Sequence, residues 1–381
     1  MTRFLKDILR QPNELGRVID HLTGAGRRTL DCAASTVRSA RHVYLTGIGS
    51  SWHAALSVRP LFQLGGRPVY LQDAAELCHF ATIPEDAAIV VISRSGRSVE
   101  IVNLLTKARE SGATVVGITN SAEGTLAREA LVPIVVPVGS DHAISVNTYS
   151  CLAATAGALA CATVGSFDNA LAAALAHTAS DVAGVLPRWR GQISESAWPA
   201  PDSSYCFLAR GGSLGSCHEA GLLWEEGVKS PATAMGTSSF RHGPQEMISK
   251  DARFAIWIDR HRMREQDLAV AGDLSLLGAS VMLIGQQLPE DGNALVLSLP
   301  EVPADWQFMI DVIPAQLAAE HLAQLSGADC DSFRLCSYIV EDDFGLMDEE
   351  VRVAKRASGN QAREQGIRGK VEPIEHEEMD S

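Results

Sequence analysis

Residues 87–98 read Ala87-Ala88-Ile89-Val90-Val91-Ile92-Ser93-Arg94-Ser95-Gly96-Arg97-Ser98, and a helical pattern begins at Val99. An unbroken apolar run ending in four β-branched residues suits a strand buried on both faces, as in a parallel sheet covered by helices. Strand, Ser- and Gly-containing turn, then helix is the βα half of a doubly wound unit. The turn also gathers three hydroxyls, a glycine and exposed N–H groups at the positive end of a helix. Charge-assisted hydrogen bonds contribute on the order of 1.5 to 3 kcal/mol each, so such a loop can hold a phosphomonoester without lysine. The same residues also make an ordinary Ser-rich helix cap and turn.

The chain on either side repeats this order. His42 to Thr46 reads as a strand, Gly47-Ile48-Gly49-Ser50-Ser51 as a turn, and Trp52 to Leu64 as a helix. Further strands are expected at 68–72, 113–119 and 132–136, with a helix from Val99 to Glu110. Residues 4–39 read as helices with polar breaks near Gln11-Pro12-Asn13 and Thr23-Gly24. After an Ala-rich helical bridge from 168 to about 186 and a linker near 187–204, the pattern returns. Tyr205 to Leu208 is a strand and Gly211-Gly212-Ser213 a turn, with Gly211 standing 162 positions after Gly49. Phe254 to Ile258 and Ala279 to Gly285 answer the strands at 88–92 and 113–119. This internal duplication predicts an α/β protein of two tandem doubly wound parallel-sheet domains. The expected boundaries are 1–40 for N-terminal helices, 41–165 for the first domain, 166–203 for the bridge and linker, and 204–345 for the second domain. Residues 346–381 form a charged tail without an apolar stripe, to which no role is assigned.

Composition excludes several classes of function. Lys and Arg total 32 against 46 Asp and Glu, a net charge of -14, so the basic footprint of a nucleic-acid binder is absent and no nucleic-acid partner is expected. A small anion is compatible with that balance, because a pocket attracts phosphate through local N–H groups and hydroxyls. The most apolar stretch, Cys151 to Val164, is shorter than the roughly 20 residues a bilayer span needs, so no membrane span or membrane partner is expected. The opening Met1-Thr2-Arg3-Phe4-Leu5-Lys6-Asp7 interrupts its apolar residues with charge at once; neither a signal nor a transit peptide is expected, which points to the cytoplasm. The eight cysteines form no C-x-x-C pair and several lie in apolar runs, so they read as reduced core residues. Walker A, H-E-x-x-H and metal-ligand clusters are missing, and the expected cofactors and metals are none.

Three motifs then carry a resemblance: Ile92 to Ser98, Gly47 to Ala54, and Phe240-Arg241-His242-Gly243-Pro244. In this order and context the chain resembles the tandem sugar-isomerase (SIS) domain proteins over roughly 40–340. These are similar to the isomerase half of glutamine:fructose-6-phosphate amidotransferase and to related amino-sugar-phosphate deaminases and ketoamine-6-phosphate deglycases. The resemblance implies flavodoxin-like domains, a phosphosugar substrate and a homodimer with shared sites. It implies that Ser51, Ser93, Ser95 and Ser98 hold the phosphate or sugar hydroxyls. Arg94 stands where the amidotransferases carry glutamine, and adds a charge that can face an oxyanion. Asp259-Arg260-His261 occupies the corresponding place in the second repeat, so one phosphate site per chain is expected.

The expected helix from Glu219 to Val228 puts Glu226 on one face with Leu222 and Leu223, where apolar neighbours raise a carboxyl pKa. The resemblance makes Glu226 the catalytic proton shuttle and His242 the ring-opening group, expected in a turn and reaching the neighbouring subunit's pocket. Glu76 resembles a family acidic position. Leu223 and Tyr338 stand where the amidotransferases have lysines, so no Schiff base is expected. Thr2 follows Met1 where a glutaminase half would show its cysteine, so glucosamine 6-phosphate synthesis is not expected. What remains is aldose–ketose isomerisation of a sugar or amino-sugar 6-phosphate, with deamination or deglycation as an alternative and a non-catalytic phosphosugar sensor as another.

Two further motifs invite other chemistry. Gly211-Gly212-Ser213-Leu214-Gly215 matches the G-x-S-x-G nucleophile elbow, with Asp311 and His321 available as partners. The duplication explains Ser213 more simply, as the counterpart of Ser51. Gly47-x-Gly49 suggests a dinucleotide loop, but the third glycine position is Trp52.

Overall fold

The apolar runs become the strands of two parallel sheets in the computed structural model, which describes residues 1–290, 292–342, 345 and 346. Helices α1 (Arg3–Thr23) and α2 (Arg27–Ser39) lead into β1 (His42–Thr46), α3 (Ser50–Leu64), β2 (Tyr70–Leu71), α4 (Ala74–Phe80) and β3 (Ala87–Ile92). The first sheet is completed by α5 (Val99–Ser111), β4 (Thr114–Thr119), α6 (Thr125–Glu129) and β5 (Val132–Val135). Two long helices follow, α7 (Asn147–Val164) and α8 (Asn169–Glu195). The second half runs β6 (Ser204–Ala209), α9 (Ser213–Leu223), β7 (Ala232–Gly236), α10 (Thr237–Phe240), β8 (Ala252–Ile258), α11 (Arg264–Leu276), β9 (Ser280–Gln286), β10 (Ala294–Leu299) and α12 (Ile313–Ser326).

The strand orders are β2-β1-β3-β4-β5 and β10-β9-β8-β6-β7, the same winding read from opposite edges. Gly49 and Gly211 take nearly equal φ angles of 55° and 57° at equivalent turns, a backbone mark of the duplication. In the first sheet β2 and β3 flank β1, so the chain leaves β1 and β3 in opposite directions. A crevice opens at the carboxyl ends of those two strands, where open α/β sheets place ligands. The whole of β3 is buried.

Between the halves, α7 is buried at every residue from Asn147 to Thr163 and packs against α1, α2 and α3. Helices α3 and α9 cross so closely that a Cβ on Gly215 would lie 2.0 Å from Ser57 Oγ and 2.2 Å from the His53 carbonyl. Only glycine fits that crossing.

The structure corrects three expectations. There is no break at Gln11-Pro12-Asn13: α1 continues through Pro12, because its buried residues Leu5, Ile8, Leu15 and Val18 dock on both sides of it. Tertiary burial outweighs the roughly 3 kcal/mol cost of an internal proline. The expected linker near 187–204 is helical as far as Glu195, because the stripe Val182, Leu186, Trp189 and Ile193 stays buried past Pro187. Strands β7 and β10 were not anticipated; both lie at sheet edges with mostly half-buried residues, and β7 (Ala-Thr-Ala-Met-Gly) has a weak apolar signal, whereas the run Ala294–Leu299 was legible and missed. Among the described residues α8 is long and apolar enough, by length and composition, to cross a membrane. One face of it packs on α1 and α12. Apart from Leu346, the expected tail lies outside the described residues.

Candidate functional site

The loops after β1 and β3 face Leu222 and Glu226 of the second half across a cavity of about 220 Å³. Ser51, Ser93, Arg94, Ser95 and Ser98 all line it, so the expected binding residues and Glu226 share one cavity. Ser93 Oγ accepts the Gly96 N–H at 3.1 Å, and Ser95 Oγ accepts the Arg97 N–H at 3.1 Å. Gly96 has φ +62°, and a Cβ there would lie 2.9 Å from the Leu126 Cβ. Its carbonyl accepts the Leu126 N–H at 3.0 Å, tying the loop to α6. Ser98 caps α5 without a side-chain capping bond, leaving its hydroxyl to the cavity. This is a donor-rich concavity at a helix start, suited to a phosphate.

Glu226 does not sit on a continuous α-helix. After Leu223 the helix widens into a π-turn, Trp224–Val228, which ends at Lys229 in the left-handed region (φ 62°). Such bulges recur where a side chain must be re-aimed. Burial first, and then the charge of Glu219, push the Glu226 carboxyl up to about 7, against the opposing pull of Arg94 and Lys229. The Lys229 amine donates to the carbonyls of Glu226 and Ser332. Leu223 is fully buried in the core, and among the described residues the cavity wall carries no lysine.

The remaining wall comes from residues 333–340, which no periodicity marks in the sequence. Arg94 Nη2 donates to the Tyr338 carbonyl at 2.7 Å, and its guanidinium lies 3.9 Å from the centre of the Tyr338 ring. The Val99 N–H at the start of α5 donates to the Val340 carbonyl at 3.0 Å. Arg94 therefore ties this segment to the cavity wall that it lines. Ser145 and Glu100 also line the cavity and were not anticipated. Buried Asp141 sets the Ser145 loop by accepting the N–H groups of Val146, Asn147 and Thr148 at 3.0, 3.0 and 2.9 Å.

Other expected residues lie apart. His242 is exposed in a turn after α10 and does not line the cavity of its own chain. Glu76 is exposed on α4, also outside the cavity. In the second half Asp259 Oδ1 accepts the N–H groups of His261 and Arg262 at 2.6 and 3.1 Å, so a carboxylate sits where the first half presents donors. Arg210 pairs with Asp267 at 2.7 Å and Arg262 with both oxygens of Asp305. Ser213 Oγ donates directly to Asp311 at 2.6 Å and its other neighbour is Gln307, so no imidazole stands between serine and acid as a hydrolase needs.

Comparison with known proteins agrees with this fold. A family model described as SIS domain matches residues 36–163. Glutamine–fructose-6-phosphate aminotransferase [isomerizing] 1 of Arabidopsis thaliana is 25% identical over 355 residues, covering 86% of this chain and 52% of that protein. The Pyrobaculum aerophilum aminotransferase is 24% identical over 347 residues, covering 87% and 56%. The chain thus spans about half the length of the curated relatives it matches. Among solved structures, the C-terminal domain of glucosamine-fructose-6-phosphate aminotransferase from Francisella tularensis superposes with TM-score 0.77 at 18% identity, covering 87% of this chain and 98% of that one. Glucosamine-6-phosphate deaminase from Thermotoga maritima gives 0.75 at 21%, covering 89% and 99%. Tagatose-6-phosphate ketose/aldose isomerase from Escherichia coli gives 0.75 at 17%, covering 90% and 98%. At these identities the superpositions establish a shared fold.

Proposed function

We propose that this chain, whose residues 36–163 match the SIS domain family, isomerises a phosphorylated sugar, interconverting the aldose and ketose forms of a sugar or amino-sugar 6-phosphate. The reading is carried by one observation: a half-buried carboxyl raised to about 7 opens on the same cavity as the serine loop. The loop holds the phosphate. Glu226, as carboxylate, takes the proton from C2 of the open-chain aldose, and the electron pair moves onto O1 as an enediolate. The O2 proton passes to O1, and return of the carbon-bound proton from Glu226 to C1 yields the ketose, with no net change in atoms. A carboxyl titrating near neutrality is suited to both halves of this transfer. With no lysine in the described wall, the chemistry proceeds without an imine. His242 enters this reading from a second copy of the chain, in a homodimer, since it lies outside its own cavity. Relatives named for fructose-6-phosphate and glucosamine-6-phosphate chemistry support a 6-phosphate substrate.

The test is proton NMR in D2O with a panel of ketose, aldose, 2-amino and ketoamine 6-phosphates. Deuterium appearing at C1 or C2 with wild type and not with Glu226→Gln is the expected result. Release of amine that depends on Glu226 would replace isomerisation by deamination or deglycation. Exchange by Glu226→Gln at the wild-type rate would remove Glu226 from the reaction, and binding without exchange across the panel would leave a sugar-phosphate sensor.

A further inference from the structure

The serine-lined cavity has a counterpart in the second half. Strand β6 is flanked by β7 and β8 as β1 is by β2 and β3, so a second crevice opens where the chain leaves β6 and β8. The loops after those two strands line a cavity of about 280 Å³ there. Each cavity is also walled by a helix of the opposite half: Leu222 and Glu226 line the first, and Pro60 and Leu64 of α3 line the second. Pro60 and Leu64 precede Leu222 and Glu226 by 162 positions, the offset that also separates Gly49 from Gly211. The second cavity is therefore a copy of the first in which leucine stands at the place of the carboxyl.

Its polar wall is built differently. The two carboxylates that line it are engaged: Arg262 holds both oxygens of Asp305, and Asp259 Oδ1 accepts the N–H groups of His261 and Arg262. What stays open is a set of donors. The Arg260 guanidinium has only long contacts, 3.5 Å to Gln286 Oε1 and 3.7 Å to Glu301, whose side chain is 85% exposed. Such a solvated pair binds weakly. Gln286 is 3% exposed, and its Oε1 also accepts the Val302 N–H at 3.1 Å. Two donors on that side fix the oxygen there and turn Nε2 away. Nε2 has no partner among the described residues and is not enclosed by protein; the cavity is the open space that Gln286 lines. Helix α9 starts at Ser213 on the same wall without a side-chain cap, so its first-turn N–H groups are free. A guanidinium, an unpaired amide and a helix start suit an anion with several acceptor oxygens.

We propose that this second cavity binds the phosphate group of a small sugar phosphate, with Arg260, Gln286 Nε2 and the start of α9 taking its oxygens. A volume close to that of the first cavity leaves room for the sugar beside the phosphate. The site is separate from Glu226 and does not depend on the isomerase reading.

The probe is glucitol 6-phosphate, which has no carbonyl and so cannot be isomerised, titrated by calorimetry against inorganic phosphate as competitor. Wild type should bind two equivalents per chain. Arg260→Ala and Gln286→Glu should each weaken one of them about tenfold or more, the low end for a charge-assisted hydrogen bond. Gln286→Glu keeps the acceptor for the Val302 N–H and sets a negative charge against the anion. Ser95→Ala should weaken only the other equivalent, and binding retained there shows that the variants are folded. A titration that neither Arg260→Ala nor Gln286→Glu changes overturns the assignment, whether it counts one equivalent or two. Loss of all binding in Ser95→Ala alone overturns it as well. Inorganic phosphate competing at this site as tightly as the ester would replace the sugar phosphate by a bare phosphate ion. If Ser95→Ala changes nothing while Arg260→Ala removes binding, the serine-loop reading fails and this one stands.

Discussion

Replacing Glu226 with glutamine should change how stability depends on pH, whatever the substrate proves to be. Its carboxyl ionises near 4.5 when unperturbed and near about 7 in the folded cavity, mainly because burial penalises the charge. Between those values the native protein keeps a proton that the unfolded chain has released. The resulting stabilisation is present in full below 4.5 and is lost as the pH rises through about 7. A displacement of this size corresponds to about 3 kcal/mol at 1.36 kcal/mol per pH unit. Glutamine has the shape of the protonated acid and does not titrate. Buried Asp311, also raised to about 7 by burial, titrates in both proteins and cancels in the difference. Urea unfolding of wild type and Glu226→Gln at several pH values from 4 to 8 reads the effect directly. The variant should gain on the wild type by about 3 kcal/mol across that range. Parallel pH profiles for the two proteins would refute the claim that the cavity holds this carboxyl out of water.

Gly215→Ala should destabilise the protein by about 3 kcal/mol or more, because the new Cβ meets Ser57 Oγ at 2.0 Å and a backbone carbonyl at 2.2 Å. An unchanged urea midpoint would mean that α3 and α9 are not in that contact. Ser95→Ala should raise KM or Kd for the sugar phosphate severalfold with little change in kcat, and an unchanged value would remove Ser95 from the phosphate site. Tyr338→Ala removes the ring on which the Arg94 guanidinium stacks at 3.9 Å, a contact worth about 0.5 to 2 kcal/mol. Faster hydrogen exchange at the Val99 amide, which donates to the Val340 carbonyl, should report the loosened segment; exchange as slow as in the wild type would sink the idea that this stacking seats residues 333–340.

Much of the architecture was legible because its causes are local. The run at 87–92 became β3 with the same ends, and the turns at Gly49 and Gly211 fell where the duplication put them. Apolar runs and glycine-containing turns act through neighbouring residues, so a window of sequence suffices to read them. The expectations that failed were also local. Pro12 and Pro187 predict breaks by their own chemistry, yet each lies inside a helix whose buried stripe is held by distant elements.

The sequence by itself determined all the strands but β7 and β10, the duplication, the Ser-Arg-Ser-Gly loop and the candidate carboxyl Glu226. Only the tertiary structure decided that Glu226 lies on a π-turn, that Arg94 is engaged by Tyr338, and that His53 meets Glu219 across 166 positions of chain. The physical reason is that burial and side-chain pairing depend on which remote residues the folded chain brings together. The same glutamate on an isolated helix would titrate as an ordinary carboxylate; the crevice between the two halves is what raises it.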